Sequence, residues 1–587
     1  MTDRLNILII GGYGIFGGRI VELLEDDPRL SLTVAGRSLQ KASAFCQARH
    51  QAKAQLVPAA FDRNGDLTAQ IASRRPDILV DASGPFQAYG DDRYRVIEAC
   101  IGQRVNYLDL ADGSDFVAGV GGFDAAARTA GCYVLSGVSS FPVLTAAVVR
   151  HLSSDMERVD TIHGGIAPSP FAGVGENVIR AIAGYAGQPV ALKRDGKTAT
   201  GYPFTEQLRF TVAPPGRLPL HNTMFSLVDV PDLRVLTELW PDATTIWMGA
   251  GPVPAILHRA LAALAWLVRW RLLPTVSGLA PLMHWATNHL RWGEHRGGMF
   301  VAVKGTDRSG APSSRSWHLL AEGDDGPLIP SMAVQALVRN ILDGKLPAPG
   351  ARAAVRDLEL ADYERLFANR TIYAGVRDDS PVAAAPLYAR VLGTAWNELP
   401  GAIRNLHDFD TTASARGRAS VERGGSLLAR LAAFIIGFPK AVADTPVSVE
   451  FGASDGTETW TRRFGDQVLS SQAFSSRQFA GNEKSAALLC ERFGPLTFAM
   501  ALVVENERLS LRLRRWTAFG IALPMWLCPR SDSYETTEDG QFHFHVRIWH
   551  PLTGLIVRYK GWLEPDRQAH ANRGQPKPSD GRPPQIF

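Results

Sequence analysis

Cysteine is scarce in this sequence. Five occur in 587 residues, an odd number, and no two stand in a CxxC pair. That excludes a disulfide-stapled scaffold and the common zinc sites, so no metal site is expected, and the thiols should be reduced in a cytoplasmic setting. Charge of one sign is also lacking. Lys and Arg number 62 against 58 Asp and Glu, a net charge of +4, which is too little to argue for a nucleic-acid partner. No run of about eighteen clean apolar residues exists, so no helix is expected to span a membrane. The nearest approach, 254–273, carries His258, Arg259, Arg269 and Arg271. An arginine at a bilayer centre costs about 2.5–3.5 kcal/mol. The N-terminus shows no signal-peptide pattern, because the apolar run 7–10 ends at once in glycines. What is present, 45% hydrophobic and 20% charged residues, suits a globular chain. Its length suggests about three or four domains.

Over 1–150, short apolar runs at 5–10, 32–35, 78–81, 105–110 and 133–135 alternate with helical stretches at 15–24, 39–48, 67–73, 91–101 and 123–130. Strands apolar on both faces and separated by helices predict an α/β domain, a Rossmann-type doubly wound parallel sheet. The first turn holds Gly12-x-Gly14-x-x-Gly17 between a strand and an amphipathic helix, with Tyr13, Ile15 and Phe16 between the glycines. This is the context in which that spacing binds a dinucleotide. Gly12 is expected to permit the tight turn, Gly14 to let the backbone approach a pyrophosphate, and Gly17 to let the helix pack on the strand. The phosphates would rest on the helix N-terminus, whose free N–H groups and dipole favour an anion.

The second strand ends in Gly36-Arg37-Ser38, and no acid stands beside Arg37. An Asp or Glu there would hold a ribose 2′-hydroxyl, whereas a guanidinium suits a 2′-phosphate. NADP(H) is therefore the expected cofactor, with Ser38 as a further donor and Lys41 one helical turn on.

The run Val80-Asp81-Ala82-Ser83-Gly84-Pro85-Phe86-Gln87-Ala88-Tyr89-Gly90 is followed by Glu98-Ala99-Cys100, Asn106-Tyr107-Leu108-Asp109-Leu110 and Gly137-Val138-Ser139-Ser140-Phe141-Pro142. With Val34-Ala35-Gly36-Arg37-Ser38, these blocks resemble the saccharopine dehydrogenase-like reductases in order and spacing. The resemblance implies a dinucleotide fold and NADP-dependent oxidoreductase chemistry. It does not extend to saccharopine itself, because the cationic groups that such a polar adduct needs are not located. Ala111-Asp112-Gly113 and Val143-Leu144 depart from the family pattern.

Ligands of such a sheet bind beyond the strand ends. Ser83, Gly84 and Pro85 are placed by this reading at the nicotinamide ribose. Hydride transfer is the cofactor's own chemistry, but a proton donor or acceptor is still required. Tyr89, Asp109 and Asp112 are the candidates, with Tyr107 a fourth, and each also has a purely structural reading.

The middle region, 151–375, is expected to be an α+β substrate or dimerisation domain. Strands are read at 158–166, 207–212, 244–248, 299–304 and 317–321, with helices at 178–186 and 332–343 and a loop at 344–350. Segment 254–286 is dense in Leu, Ala and Trp. Three readings stay open for it: a core or homodimer helix, a helix lying in a membrane interface, and an apolar mouth for a lipid substrate. After a linker at 377–386, the region 385–565 alternates apolar and polar residues at 447–451, 458–464, 497–504, 509–516, 542–548 and 555–562, with a helix at 426–436. A β-rich antiparallel domain with one apolar face is expected, of a shape that could hold an acyl chain. Arg423-Gly424-Gly425, the blocks at 458–465 and Arg558-Tyr559-Lys560-Gly561-Trp562-Leu563 resemble an uncharacterised domain found behind such reductases in bacteria. His543 and His545 share a strand face with Arg547, which would repel a cation. A disordered tail is expected at 566–587.

Two functions follow. One is an NADPH-dependent reductase acting on a C=C, C=O or C=N bond of an apolar or lipid-like small molecule, cytoplasmic or peripheral at the inner face of the membrane. The other is a non-catalytic protein that senses NADP(H) or binds lipid as a scaffold.

Overall fold

The computed structural model describes residues 4–251, 255–378, 385–476 and 487–566. All but Asp566 of the tail expected at 566–587, and most of the linker at 377–386, lie outside these residues. The chain divides into two compact units, 1–214 with 222–381, and 215–221 with 382–587.

The first unit opens with β1 (Leu5–Ile10), β2 (Leu30–Gly36), β3 (Gln55–Ala60), β4 (Ile78–Asp81), β5 (Asn106–Asp109) and β6 (Tyr133–Ser136). They form one parallel sheet in the order β6-β5-β4-β1-β2-β3. Ile7 to Ile10 of β1 and all of β4 are buried, which is why these runs read as apolar on both faces. The order reverses between β1 and β4, and the glycine-rich turn after β1 lies at that switch point.

Two parts of this layer were not legible. β3 carries Pro58 and buries little besides Ala59, as an edge strand permits, so it lacks the apolar run that marks its neighbours. The seventh strand, Gly350–Ala353, comes from far along the chain and adds beside β6. The sequence reading ends its loop at 350 and assigns no element to 351–353. The helix Ile329–Leu342 covers the first helix, Ile15–Leu24: Gln335 Nε2 donates to the Leu23 carbonyl at 2.7 Å, and Arg339 pairs with Asp26 at 2.8 Å. The boundary expected at 150 is therefore crossed, because residues 329–353 complete the nucleotide-type layer.

A second seven-stranded sheet follows, in the order Gln207–Val212, Leu220–Leu227, Thr245–Ala250, Met156–Ala167, Arg296–Asp307, Pro312–Glu322, Ile372–Asp378. It is mixed, with Thr245–Ala250 parallel to Met156–Ala167 and Arg296–Asp307 antiparallel to it. Phe300 stacks on Phe210 and meets Phe225 edge-on, fixing one face of the sheet. From Ala255 onward, segment 254–286 holds the helix Ala255–Arg269 and most of the helix Ala280–His289. His258, Leu261, Ala262, Ala265 and Val268 are buried, a helical stripe facing inward. Among the described residues no helix is long and apolar enough to cross a membrane.

In the second unit the expected antiparallel sheet closes on itself. Ten strands run in the order Leu496–Glu505, Leu489–Phe493, Gln467–Ser475, Thr457–Phe464, Val442–Ser454, Thr412–Arg423, Gly554–Pro565, Gln541–His550, Arg530–Glu538, Arg508–Ala518, and the last pairs with the first. Closure removes both sheet edges and turns the apolar face into a barrel interior. Its core includes Phe451, Phe464, Leu502, Phe542 and Leu563.

Asp109, at the end of β5, ties two strand ends together. Its Oδ1 accepts from the Ala111 and Gly137 N–H groups at 2.9 and 2.8 Å and from the Ser136 hydroxyl at 3.0 Å. Oδ2 has no partner among the described residues. Burial outweighs these bonds and pushes the carboxyl pKa up to about 7. Folded Asp109 thus keeps a proton that an unfolded aspartate, with a pKa of about 3.9, has lost. The stability this confers is complete below about pH 4 and is lost as pH rises through about 7. Urea melts should therefore show Asp109→Asn faring better against the parent at pH 8 than at pH 5, by on the order of 2 kcal/mol. Equal differences at the two pH values would contradict the assignment.

Candidate functional site

The glycine-rich turn is shaped by contacts that exclude side chains. Gly11 has φ +75°, and a Cβ on it would stand 2.8 Å from the Ala82 carbonyl oxygen. The left-handed residue of the turn is therefore Gly11 and not Gly12, to which the sequence reading gave the tight turn. Gly12 is needed for close approach instead, since its Cβ would meet the Ile9 carbonyl oxygen at 2.9 Å. A Cβ on Gly17 would stand 2.1 Å from the Gly11 carbonyl oxygen, so the first helix packs directly on the turn. Gly14 caps that helix with extended backbone and no side-chain cap, and its first turn holds no acid. The leading N–H groups and the positive end of the helix dipole remain available to an anion.

At the end of β2, Arg37 is exposed and lines a cavity shared with Gly11, Tyr13, Gly14, Ile15, Phe16 and Gly36. The Tyr13 ring lies over Gly36, where a Cβ would come within 2.6 Å of it. The Tyr13 hydroxyl accepts from the Ser38 N–H at 3.0 Å. Ser38 caps the next helix, its Oγ accepting from the Lys41 N–H at 3.3 Å. It is not among the residues that line the cavity. These features fit NADP(H): a cradle that a Cβ would fill, an uncapped helix N-terminus, and a guanidinium where the adenosine end would lie.

Beyond β4, Ser83 Oγ donates to Asp81 Oδ1 at 2.5 Å and lies 2.8 Å from the Tyr89 hydroxyl. The guanidinium of Arg63 sits 3.3 Å from the centre of the Tyr89 ring and 3.9 Å from Asp81 Oδ2. Burial raises the pKa of Asp81, and burial together with the Asp81 charge holds the Tyr89 phenol well above its usual value. Ser83, Gly84, Pro85 and Tyr89 all line the cavity. The Gly84 carbonyl is held by Asn177 Nδ2 at 3.1 Å. Asp109 and Tyr107 do not line the cavity; both are fully buried in the sheet.

Asp112 does line it. Gln87 Nε2 donates to Asp112 Oδ1 at 3.0 Å. Burial raises its pKa, and the nearby Asp229 charge raises it further. Asp229 is itself raised by burial and accepts from the Ser114 hydroxyl at 2.5 Å. Tyr185, stacked on Phe204, completes this wall. His258 lies 2.7 Å from Ser226 Oγ, and burial lowers its pKa to about 4, so its ring is neutral at pH 7. Arg63, Asn177, Tyr185, Asp229 and His258 were missed in the sequence. Only His258 carried a signal, as the one imidazole on an otherwise apolar helical stripe.

The cavity has a volume of about 1240 Å³. From the glycine turn it runs past Ser83 and Asp112 into a chamber walled by Ile179, Ile182, Val230, Leu257, Leu261, Leu264 and Met283. Among its described lining residues from 176 onward there is no Lys or Arg.

Residues 7–133 match the family model described as the saccharopine dehydrogenase NADP binding domain, and residues 399–563 match a domain of unknown function, DUF4166. No protein of curated function matches the chain. Among solved structures, apo saccharopine dehydrogenase (L-Glu forming) from Saccharomyces cerevisiae is 13% identical, with 64% of this chain and 100% of that one covered and a TM-score of 0.46. A biliverdin reductase from Synechocystis, solved with biliverdin and NADP+, is 11% identical, with 61% and 94% covered and a TM-score of 0.28. The chain thus carries an NADP-binding domain of the saccharopine dehydrogenase type, joined to a β-barrel domain of the DUF4166 family.

Proposed function

We propose that the chain is an NADPH-dependent reductase of an apolar, lipid-like substrate. The observation that supports this reading is the continuity of one cavity from the glycine turn to a largely apolar chamber, with no Lys or Arg among its described lining residues from 176 onward. The carboxylates of an amino-acid adduct would meet no Lys or Arg among those residues, whereas an alkyl chain is stabilised by about 25 cal/mol per Å² buried.

NADPH, when bound, supplies a hydride. Gly11 and Gly14 with the helix N-terminus would hold its pyrophosphate, Arg37 would take the 2′-phosphate, and Ser83 to Pro85 would border the nicotinamide ribose. The protein's own task is the proton that completes reduction of a C=C, C=O or C=N bond. Asp112 suits that role. It faces the cavity, and burial with the Asp229 charge favours its protonated form. Tyr89 is tied through Ser83 to Asp81 and orders the loop beside the reacting end.

The outer face of the chamber helices supports a peripheral membrane contact. The sequence from 243 to 293 contains no Asp or Glu but holds Arg259, Arg269, Arg271 and Arg291. Trp285 is exposed on the second helix, and Trp270 and Trp292 are exposed just beyond the ends of the two helices. Tryptophan and arginine around an apolar mouth suit an interface through which a lipid-like substrate enters.

Arg37→Asp is expected to weaken NADPH binding about a hundredfold and NADH binding far less, as read by fluorescence titration. Equal losses for both nucleotides would remove Arg37 from the 2′-phosphate site. Consumption of NADPH should appear in a screen of enals, enones and imines and should rise with alkyl chain length. A screen without turnover by an NADPH-loaded protein would favour the sensing role instead. With an active substrate, Asp112→Asn should lower kcat about 10²- to 10³-fold, leave NADPH affinity intact, and abolish the fall in kcat at high pH that loss of the Asp112 proton causes. A kcat unchanged by Asp112→Asn would exclude it as the donor.

A further inference from the structure

The barrel has two unlike ends. Strand directions place the turns 455–456, 506–507 and 539–540 at one end, and the connections 424–441, 465–466, 494–495, 519–529 and 551–553 at the other. The first set consists of short polar turns, Asp455-Gly456, Asn506-Glu507 and Asp539-Gly540. That end is filled by the helices Leu387–Leu392 and Gly401–His407, whose Tyr388, Ile403 and Leu406 are buried in the barrel core.

The opposite end is apolar, and several of its large side chains are exposed among the described residues. The helix Leu427–Ile436 buries only Ala429 and Ala433, and leaves Leu427 and Phe434 81% exposed. Phe519 is 83% exposed and Trp526 74%. These segments form one rim. Ser426 Oγ donates to the Thr553 carbonyl at 2.6 Å, and His550 Nε2 lies 3.2 Å from the Trp526 carbonyl. The exposed charges of the helical connection are Arg430 and Lys440, both cationic.

An interior cavity of about 150 Å³ reaches this rim, lined there by Ile436, Phe438, Pro529 and Ile548. Deeper in, its wall is largely apolar, with Tyr388, Ser531, Ser533, His545 and Tyr559 among its polar members and two ion pairs beside them. Arg462 pairs with Glu491 at 2.8 Å, and His407 with Glu535 at 2.9 Å. An entering charged group would find no free counter-charge in those pairs, while an apolar group meets Met500, Leu513 and Phe544. A cavity of this size accommodates a benzene-sized group, the terminal part of an alkyl chain.

We propose that the C-terminal barrel is a calyx that docks by its apolar rim on an anionic bilayer and takes the end of a lipid acyl chain into its interior. Arg430 and Lys440 outnumber Asp466 on the rim connections and complement anionic headgroups, the exposed Leu, Phe and Trp side chains enter the interface, and the chain end follows the apolar path between Phe438 and Ile548. The inference does not depend on the reductase reading.

The test uses the full chain with vesicles of phosphatidylcholine and phosphatidylglycerol that contain a phosphatidylcholine bearing a diazirine at its acyl terminus. After irradiation, peptide mapping should find adducts on the inward residues of Leu496–Glu505, Arg508–Ala518 and Gln541–His550. The double variant Leu431→Asp with Phe434→Asp changes only exposed positions, and its circular dichroism should match the parent. It should show about tenfold fewer barrel adducts, while adducts within 255–292 serve as the internal control and stay unchanged. Adducts absent from the barrel, confined to the outer helix, or undiminished in the double variant would overturn the proposal. So would a dimer in vesicle-free solution that the double variant dissociates, since it would assign the rim to a second copy.

Discussion

The contact on which the nucleotide unit depends is the approach of Gly17 to the Gly11 carbonyl, too close for any side chain. It lets the first helix start hard against the end of β1, at the point where the strand order reverses. The uncapped N-terminus of that helix thereby faces the cavity that Ser83 and Asp112 also border. A helix displaced by even a methyl group would turn its N–H groups away from that space. The helix Ile329–Leu342 holds it from behind through Gln335 and Arg339. Residues more than 300 positions apart therefore fix one anion-binding geometry.

Within that frame, three aspartates on neighbouring strand ends differ because their surroundings differ. Asp81 is enclosed and bonded to Ser83, and orders the loop that carries Tyr89. Asp109 is enclosed and bonded to three donors, and joins two strand ends without reaching the cavity. Asp112 reaches the cavity and keeps the company of Asp229. Burial raises all three pKa values, yet only the last can exchange a proton with a bound molecule. Position relative to the cavity, more than titration, separates the roles.

The parallel sheet was legible because β1, β2 and β4 are buried on both faces and so spell continuous apolar runs. β3 escaped notice because an edge strand with Pro58 buries almost nothing, and Gly350–Ala353 because a loop-like composition gives no sign of pairing with β6. The glycines of the turn were readable as a set. Their division of labour was not, since only the backbone shows that Gly11 takes the positive φ. Likewise, the alternation in the C-terminal region revealed strands with one apolar face. Closure of the barrel depends on pairing between Leu496–Glu505 and Arg508–Ala518 and on neighbours that local patterning does not connect. The other polar groups near the cavity come from helices and strands elsewhere in the chain, and no spacing rule brings Tyr185, Asp229 and His258 together.

The proposed reductase depends on one cavity that joins the glycine turn to an apolar chamber. Native mass spectrometry of the purified full chain, with no ligand added, addresses it most directly. The account predicts a bound mass matching NADP(H), and a second mass in the lipid range in whatever fraction retains substrate. A bare chain that also fails to gain mass when NADPH is supplied would contradict it. The glycine turn would then be a structural feature only, and the reductase reading would fall with it.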